Sequence, residues 1–563
     1  MGKAFANYNV VQPDLEATRA RYDGFHERLE AVDSAEDCLG LIADWDWVIC
    51  EFKEWSTLTY IRFHQDTSNA AYKAEKEKHD EILPKFAELE TRFKQALLDS
   101  PLRSEVEKST GAQLFAKWEC HTRCFSPEIE DDLAAELKLQ SEYTALTAEA
   151  KISFRGEDYT LSEMNKFYDH ADRDTREESC RVSSRWYAEN APEFDRIYDD
   201  QVRLRHSMSE KLGYETFTEL GYQRMTRIGY GPEEVAGFRE EVRDKVVPLA
   251  VEFADQQSRI LGIDPLMYWD TTVFSLEGNP EPLGGHDWMV DRATEMFGEM
   301  GHGLPEFFEE MKTRGAMDLK SREGKAGGGF CDFLPQFGFP FIFANFNGTR
   351  GDVDVFTHEV GHAFQSYSSR NQVMSDLIWP TTEACEIHSM GLELLTWPYM
   401  DKFYGEEAAE ELRRIHLTHY FQFLPYGVSI DHFQHLVYAN PDASPEERNE
   451  MWKEVESIYL PWWRYDDLPH EASGRAWQQK QHIYQCPFYY IDYCLALTGA
   501  LQFWSKSRQD AEGTLEAYAR LCTLGGSRDY TGLLASAGLD SPFEPGCLDD
   551  VIADAKAYLR QGA

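Results

Sequence analysis

Between Thr357 and Gln365 the chain reads Thr-His-Glu-Val-Gly-His-Ala-Phe-Gln, and this stretch restricts the fold more than any other. His358 and His362 stand four residues apart, so on an α-helix they occupy one face, a turn apart. Two neutral imidazoles placed this way can bind one divalent ion, with zinc the default metal. Glu359, on a neighbouring angle, can reach a water beside that ion. Zinc lowers the pKa of water from ~15.7 to about 7, where a nearby carboxylate can take the proton. The competing reading is a helix with an exposed pair of histidines and no metal.

A catalytic zinc needs a third protein ligand and one open position. Downstream, Pro380-Thr-Thr-Glu-Ala-Cys-Glu-Ile-His-Ser-Met-Gly-Leu-Glu carries Glu383, Glu386 and Glu393 at steps of three and seven residues, which puts all three on one side of a helix. The rest of that helix is apolar (Ile387, Met390, Leu392, Leu394, Leu395), so a row of acids is costly unless a cation faces it. The alternative is a solvated acidic stripe. His388 is a rival ligand, but it points to a different face.

The remaining sequence reads as mostly α with a small sheet near the middle. Apolar residues from Ser34 to about His64 recur at three- and four-residue steps, and Leu133, Leu137, Tyr143 and Leu146 suggest a second stripe. Ile152 and Phe154, then Tyr159 and Leu161, flank an Arg155-Gly156 turn as in a short hairpin, with Ser162 expected to cap the next helix. Helices resume from Thr175 to about Arg227, Gly229-Tyr-Gly-Pro breaks them, and Glu277 to Gly285 is a loop. Pro340-Phe-Ile-Phe-Ala-Asn-Phe reads as a strand ended by Gly348.

His358-Glu-Val-Gly-His followed by Glu386-x-x-Ser389-x-x-x-Glu393 resembles the thimet oligopeptidase and oligoendopeptidase F family of zinc peptidases. The resemblance implies His358, His362 and Glu386 as zinc ligands, Glu359 as the base, and Glu383 as an acid that orients a ligand histidine. Gln365 departs from the family, where many members have a histidine that is not a ligand. Gly324-Lys-Ala-Gly-Gly-Gly-Phe-Cys and Phe341-Ile-Phe-Ala-Asn-Phe-Asn-Gly are similar to the family's Gly-rich loop and edge strand. That would let Gly328, Phe343, Ala344 and Asn345 pair with an extended peptide, unless the strand is purely structural. His482 to Tyr493 resembles the family's C-terminal cluster of transition-state and substrate contacts, here His482, Tyr490 and Tyr493, with Tyr489 as a further substrate contact.

The fold implied by this resemblance is mainly α and neurolysin-like. It has two helical lobes around a deep substrate channel and a small β-sheet beside the zinc site. Residues 1–190 would form an N-terminal region covering the channel, and 191–563 the catalytic region. The implied activity is endopeptidase cleavage of short unfolded oligopeptides. Its rivals are a C-terminal-trimming dipeptidyl carboxypeptidase and a non-catalytic zinc-dependent peptide binder.

Composition narrows the remaining classes. The 563 residues suggest two to four domains, and 42% hydrophobic with 13% aromatic content supplies a large core. A net charge of −43 disfavours nucleic acid and anionic membranes as partners. Eleven cysteines without regular spacing do not form a disulfide framework, and Cys120 and Cys124 read as buried thiols. Gly2 begins an imperfect myristoylation signal, with Ala6 where Ser or Thr is wanted. With no apolar signal core and no span-length run, a cytoplasmic location is expected. Self-association into a homo-oligomer is left open.

Overall fold

Amphipathic runs in the first 123 residues become the helices Leu15–Ala31, Ala35–Gln65, Ala70–Leu98 and Ala112–Arg123. The computed structural model describes residues 4–322, 324–346 and 350–560, without the side chain of Ser162. Expectations that fell on Gly2, Asn347 and Gly348 lie outside the described residues. Ser34 caps the second helix by accepting a hydrogen bond from the Asp37 amide, as its position before the apolar run predicts. These helices close over Trp45, Phe86, Phe93 and Trp118, and the Trp45 indole donates to the Tyr22 hydroxyl at 3.1 Å.

The described residues form two compact units, each built from three stretches of chain. The first comprises Met1–Arg123, Glu281–Ala409 and Ala496–Ser541; the second comprises Cys124–Pro280, Glu410–Leu495 and Pro542–Ala563. Residue 190, the boundary expected from sequence, lies inside the continuous helix Arg173–Lys211. The class is mainly α with small sheets.

In the second unit, β1 (Ile152–Phe154) and β2 (Glu157–Tyr159) form the expected hairpin. Arg155 and Gly156 both have positive φ, the backbone that a two-residue turn needs to match strand twist. The next helix is capped by Thr160 rather than Ser162. Thr160 Oγ1 accepts from the Glu163 amide, and Glu163 returns a bond to the Thr160 amide. The stripe expected on Glu130–Ala148 is also shifted: Leu137 is 61% exposed, while Glu136, Leu139 and Tyr143 are buried. The shift follows Arg205, a fully buried guanidinium that takes Glu136 as its partner and donates to the carbonyls of Ile483 and Tyr484.

In the first unit, β3 (Met317–Lys320), β4 (Phe330–Leu334) and β5 (Phe339–Phe346) form a sheet of order β3-β5-β4. β5 is parallel to β3 and antiparallel to β4, so it is the central strand. This corrects the edge-strand expectation. Seven of its eight residues are buried, because both faces and both edges are covered. Pro340 is tolerated there because β3 begins pairing only at Ile342. β4 is the strand with an outer edge on the side that follows the Gly-rich loop.

Candidate metal centre

The sheet leads into the helix Arg350–Ser368, which carries the histidine motif, and a loop joins that helix to Thr382–Leu395, which carries the acids. The two helices meet backbone to backbone at the glycine inside the motif. A Cβ on Gly361 would lie 2.5 Å from the His388 carbonyl oxygen and 2.7 Å from Ser389 Cα. Only glycine lets the helices approach this closely. The intervening loop is held as tightly. Asp376 accepts from Lys53 at 2.7 Å and from the Trp118 indole at 3.0 Å, and Lys117 donates to the carbonyls of Asp376 and Trp379. Gln365, fully buried, donates to Ser369 Oγ and the Ile378 carbonyl. The position that departs from the family pattern therefore serves the loop.

This packing brings His358, His362 and Glu386 together, with one ligand atom from each within 4.8 Å of the others. Glu386 Oε2 lies 3.3 Å from His358 Nε2 and 3.5 Å from His362 Nε2. A tetrahedral zinc with bonds of ~2.0–2.1 Å sets its ligand atoms about 3.3–3.4 Å apart, so the two distances fit such an ion. The acids are not a solvated stripe: Glu383, Glu386 and Glu393 are 0%, 6% and 8% exposed. Burying them beside Glu359 calls for positive charge.

The electrostatics agree with this placement. Burial alone would lower the His358 pKa, but the hydrogen bonds that its ring donates to the Glu386 and Glu393 carboxylates carry it well above the ordinary imidazole range. Burial would likewise raise Glu386, yet His362 and His358 hold it well below the usual carboxylate range. A site that draws a proton so strongly also draws a divalent cation. Glu359 is buried, its pKa is raised by that burial against the pull of both histidines, and its Oε2 has no hydrogen-bond partner among the described residues. A buried, unpaired carboxylate oxygen beside three converging ligands suits a group that accepts a proton from water.

Behind the ligands, His358 meets an acid to which the sequence reading assigned no role. Glu393 Oε1 lies 2.7 Å from His358 Nδ1, which leaves Nε2 facing Glu386. Sequence reasoning gave the orienting role to Glu383, which is fully buried on the same helix. It named Glu393 in the motif but assigned it no role; the spacing of seven residues from Glu386 was the available signal. Ser389 Oγ donates to Glu386 Oε2 at 2.9 Å, a contact that the spacing of three could have suggested. His388 bonds the Ala384 carbonyl at 2.8 Å, burial lowers its pKa to about 4, and it stands outside the converging set.

The residues expected to bind peptide divide. Phe343 and Ala344 have fully buried side chains in central β5; the backbone of Phe343 pairs with Asp318 of β3 and Phe330 of β4, whereas Ala344 lies just past the end of the β4 pairing. The Asn345 amide donates to the carbonyls of Ala326 and Gly328 at 2.8 Å each, which braces the Gly-rich loop. Gly328 and Gly329 are exposed, and a Cβ on Gly329 would sit 3.4 Å from Glu359 Oε1.

The C-terminal residues form one aromatic group in the second unit. The His482 ring stacks on Tyr489 at 5.7 Å and lies 5.1 Å from Tyr490 and 6.0 Å from Tyr493. Burial, with help from Lys480, lowers the His482 pKa to about 4, so the ring is neutral near pH 7, and its Nδ1 has no hydrogen-bond partner among the described residues. Lys480, which sequence reasoning missed, donates to the Tyr490 hydroxyl at 3.2 Å and lies over the Tyr426 and Tyr490 rings. Arg227 holds the turn by pairing with buried Asp492 and donating to the carbonyl of Phe488, whose φ is 67°.

Elsewhere the eleven cysteines, all among the described residues, form no disulfide, and no helix among the described residues is long and apolar enough to cross a membrane.

The profile of the peptidase M3 N-terminal domain matches residues 5–125, and that of peptidase family M3 matches 167–279 and 295–551. A solved structure of PZ peptidase A with an inhibitor is 40% identical, covers 99% of both chains and superposes with a TM-score of 0.93. A Bacillus anthracis structure bearing the provisional label oligoendopeptidase F is 40% identical over 99% of this chain and 98% of its own, with a TM-score of 0.89. The oligoendopeptidase F of Enterococcus faecium shares the fold at 15% identity, 97% and 98% coverage and a TM-score of 0.62. A sequence comparison with curated proteins gives no match. Profile matches across most of the chain, together with these structures, establish that the chain belongs to peptidase family M3.

Proposed function

We propose that the chain is a zinc-dependent endopeptidase that cleaves internal bonds of short, unfolded peptides. The observation that carries this reading is the convergence of His358, His362 and Glu386 beside the buried, unpaired Oε2 of Glu359. When bound, zinc would polarise the scissile carbonyl and acidify water.

The chain's own residues do the rest. Glu393 fixes the His358 tautomer by accepting from Nδ1, and Ser389 steadies Glu386 by donating to Oε2. Glu359 accepts a proton from the water attacking the amide carbon and delivers it to the leaving nitrogen. The attacking group is water, so no acyl-enzyme forms. His482, Tyr490 and Tyr493 are the candidate donors to the developing oxyanion, with Tyr489 as a substrate contact. The outer edge of β4 and the bare backbone of Gly327–Gly329 are the places where an extended peptide could add as a strand. A cytoplasmic role in peptide turnover is part of the proposal.

The test is digestion of a peptide library, read by mass spectrometry, with wild type and Glu359→Gln. The variant should keep the metal and lose about 10²–10⁴-fold in turnover, the range for a general base. Equal activity of the two proteins would refute the base assignment. Peptides blocked at both ends should be cut, and cutting only of free C-termini would favour a carboxypeptidase. Binding without cleavage by wild type would favour a peptide binder.

A further inference from the structure

The helix face that carries the metal site does not begin at His358. Val355 precedes His358 by three residues, Glu359 by four and His362 by seven, so all four side chains lie along one face. Val355 is 39% exposed, whereas Asp352, Val353, Phe356, Thr357 and Val360 around it are buried. A single exposed valine is unremarkable on a protein surface. This one is different because of its neighbours. A Cβ on Gly329 would lie 3.1 Å from Val355 Cγ1 and 3.4 Å from Glu359 Oε1, so the bare Gly329 backbone stands against both side chains at once.

That backbone is not slack. The carbonyl of Gly328 accepts from the Asn345 amide, and the ring of Phe330 stacks on Phe343 at 4.8 Å. Lys325, buried beneath, donates to the Ala344 carbonyl. Val355 and Gly329 therefore form a braced, solvent-open apolar step one helical turn from the carboxylate assigned as base. The step lies beside the carboxylate at which a scissile amide would be presented.

We propose that Val355, backed by Gly329, is a specificity-determining subsite that accepts an apolar side chain of one residue flanking the scissile bond. This rests on the peptidase reading and deepens it by naming the class of side chain selected. Desolvating an aliphatic or aromatic side chain against the valine methyls is favourable, and doing the same to a carboxylate is not.

The experiment uses end-blocked peptides identical except for leucine or aspartate at the residues flanking the cleaved bond. Wild type, Val355→Thr and Val355→Lys are compared by kcat/KM. In parallel, peptide affinity is measured in a Glu359→Gln background, with and without the Val355 substitutions. Threonine keeps the shape of valine and replaces a methyl with a hydroxyl. The ratio of leucine to aspartate peptide should fall about tenfold in Val355→Thr, the scale set by one apolar group in a pocket. Val355→Lys should bring aspartate peptides up to or above the leucine ones. The same ordering should appear in the binding series, which reads the subsite without turnover. Unchanged ratios at both flanking positions, in cleavage and in binding, would overturn the subsite. Failure of wild type to cleave, with the binding ratios still shifting, would instead remove the peptidase reading and leave the subsite standing.

Discussion

Gly361→Ala is the sharpest test of the packing that builds the metal centre. The new methyl carbon would meet the His388 carbonyl oxygen at 2.5 Å, Ser389 Cα at 2.7 Å and the His388 carbonyl carbon at 3.0 Å. All three are backbone atoms, so no side chain can swing away. Ordinary contact begins near 3.4 Å, and 3.4 minus 2.5 leaves about 0.9 Å to be found by moving one helix off the other. His362 follows Gly361 directly, and Glu386 lies two residues before His388. The 3.5 Å separation of His362 Nε2 from Glu386 Oε2 would therefore open by a comparable amount.

Two effects compete in the stability of this variant. Alanine in place of a mid-helix glycine favours the helix by about 1 kcal/mol. Overpacking in a well-filled interior costs about 1–3 kcal/mol. The net change in folding is small, so a thermal midpoint alone would not decide the matter. Zinc affinity does, because the ligand triangle has no such compensation, and a misplacement near 1 Å costs about 10²-fold in a positioned site. The assay is competition with a chromophoric chelator, alongside a melting curve and peptide kcat/KM. Gly361→Ala should stay folded, bind zinc about 10²-fold more weakly and lose peptidase activity that excess zinc partly restores. Wild-type affinity and wild-type activity together would refute the backbone-contact argument.

Three further outcomes follow from the same geometry. Glu393→Gln keeps the shape but removes the charge that orients His358, and should weaken zinc binding about 10–100-fold with little change in the melting curve, measured by the same chelator competition. The His358 pKa is raised, so protons compete with metal at a higher pH than at an ordinary imidazole; zinc affinity should therefore fall as the pH is lowered through that raised range and recover when the pH is returned. Arg227→Met removes the cation paired with the buried Asp492 carboxylate and the donor to the Phe488 carbonyl, and should cost about 3–5 kcal/mol in denaturant unfolding; a loss below about 1 kcal/mol would show that the pair does not hold the tyrosine-bearing turn.

What could be read in advance was local. His358 and His362 needed only a helix to share a face, and Arg155-Gly156 between short apolar runs needed only a turn with positive φ. Thr160 was overlooked as a cap because Ser162 also precedes apolar residues; the deciding feature, Glu163 three residues after Thr160, was in plain view. The misplaced edge strand had a readable warning as well. An unbroken run from Phe339 to Phe346, apolar except for Asn345, marks a strand covered on both faces.

The sequence by itself determined the chemistry on offer: two imidazoles and a carboxylate on one helix, a row of acids on the next, and a histidine among tyrosines near the end. Which acid serves as ligand and which as orienter could not follow from spacing, because Glu383, Glu386 and Glu393 share one helix side and differ only in what lies opposite. The crossing of two helices at Gly361 sets Glu386 against both Nε2 atoms and Glu393 against Nδ1. Strand order and the exposure of Val355 were decided in the same way, by contacts among segments distant along the chain. Periodicity reports which way a side chain points from its own backbone; only packing supplies the atoms it then meets.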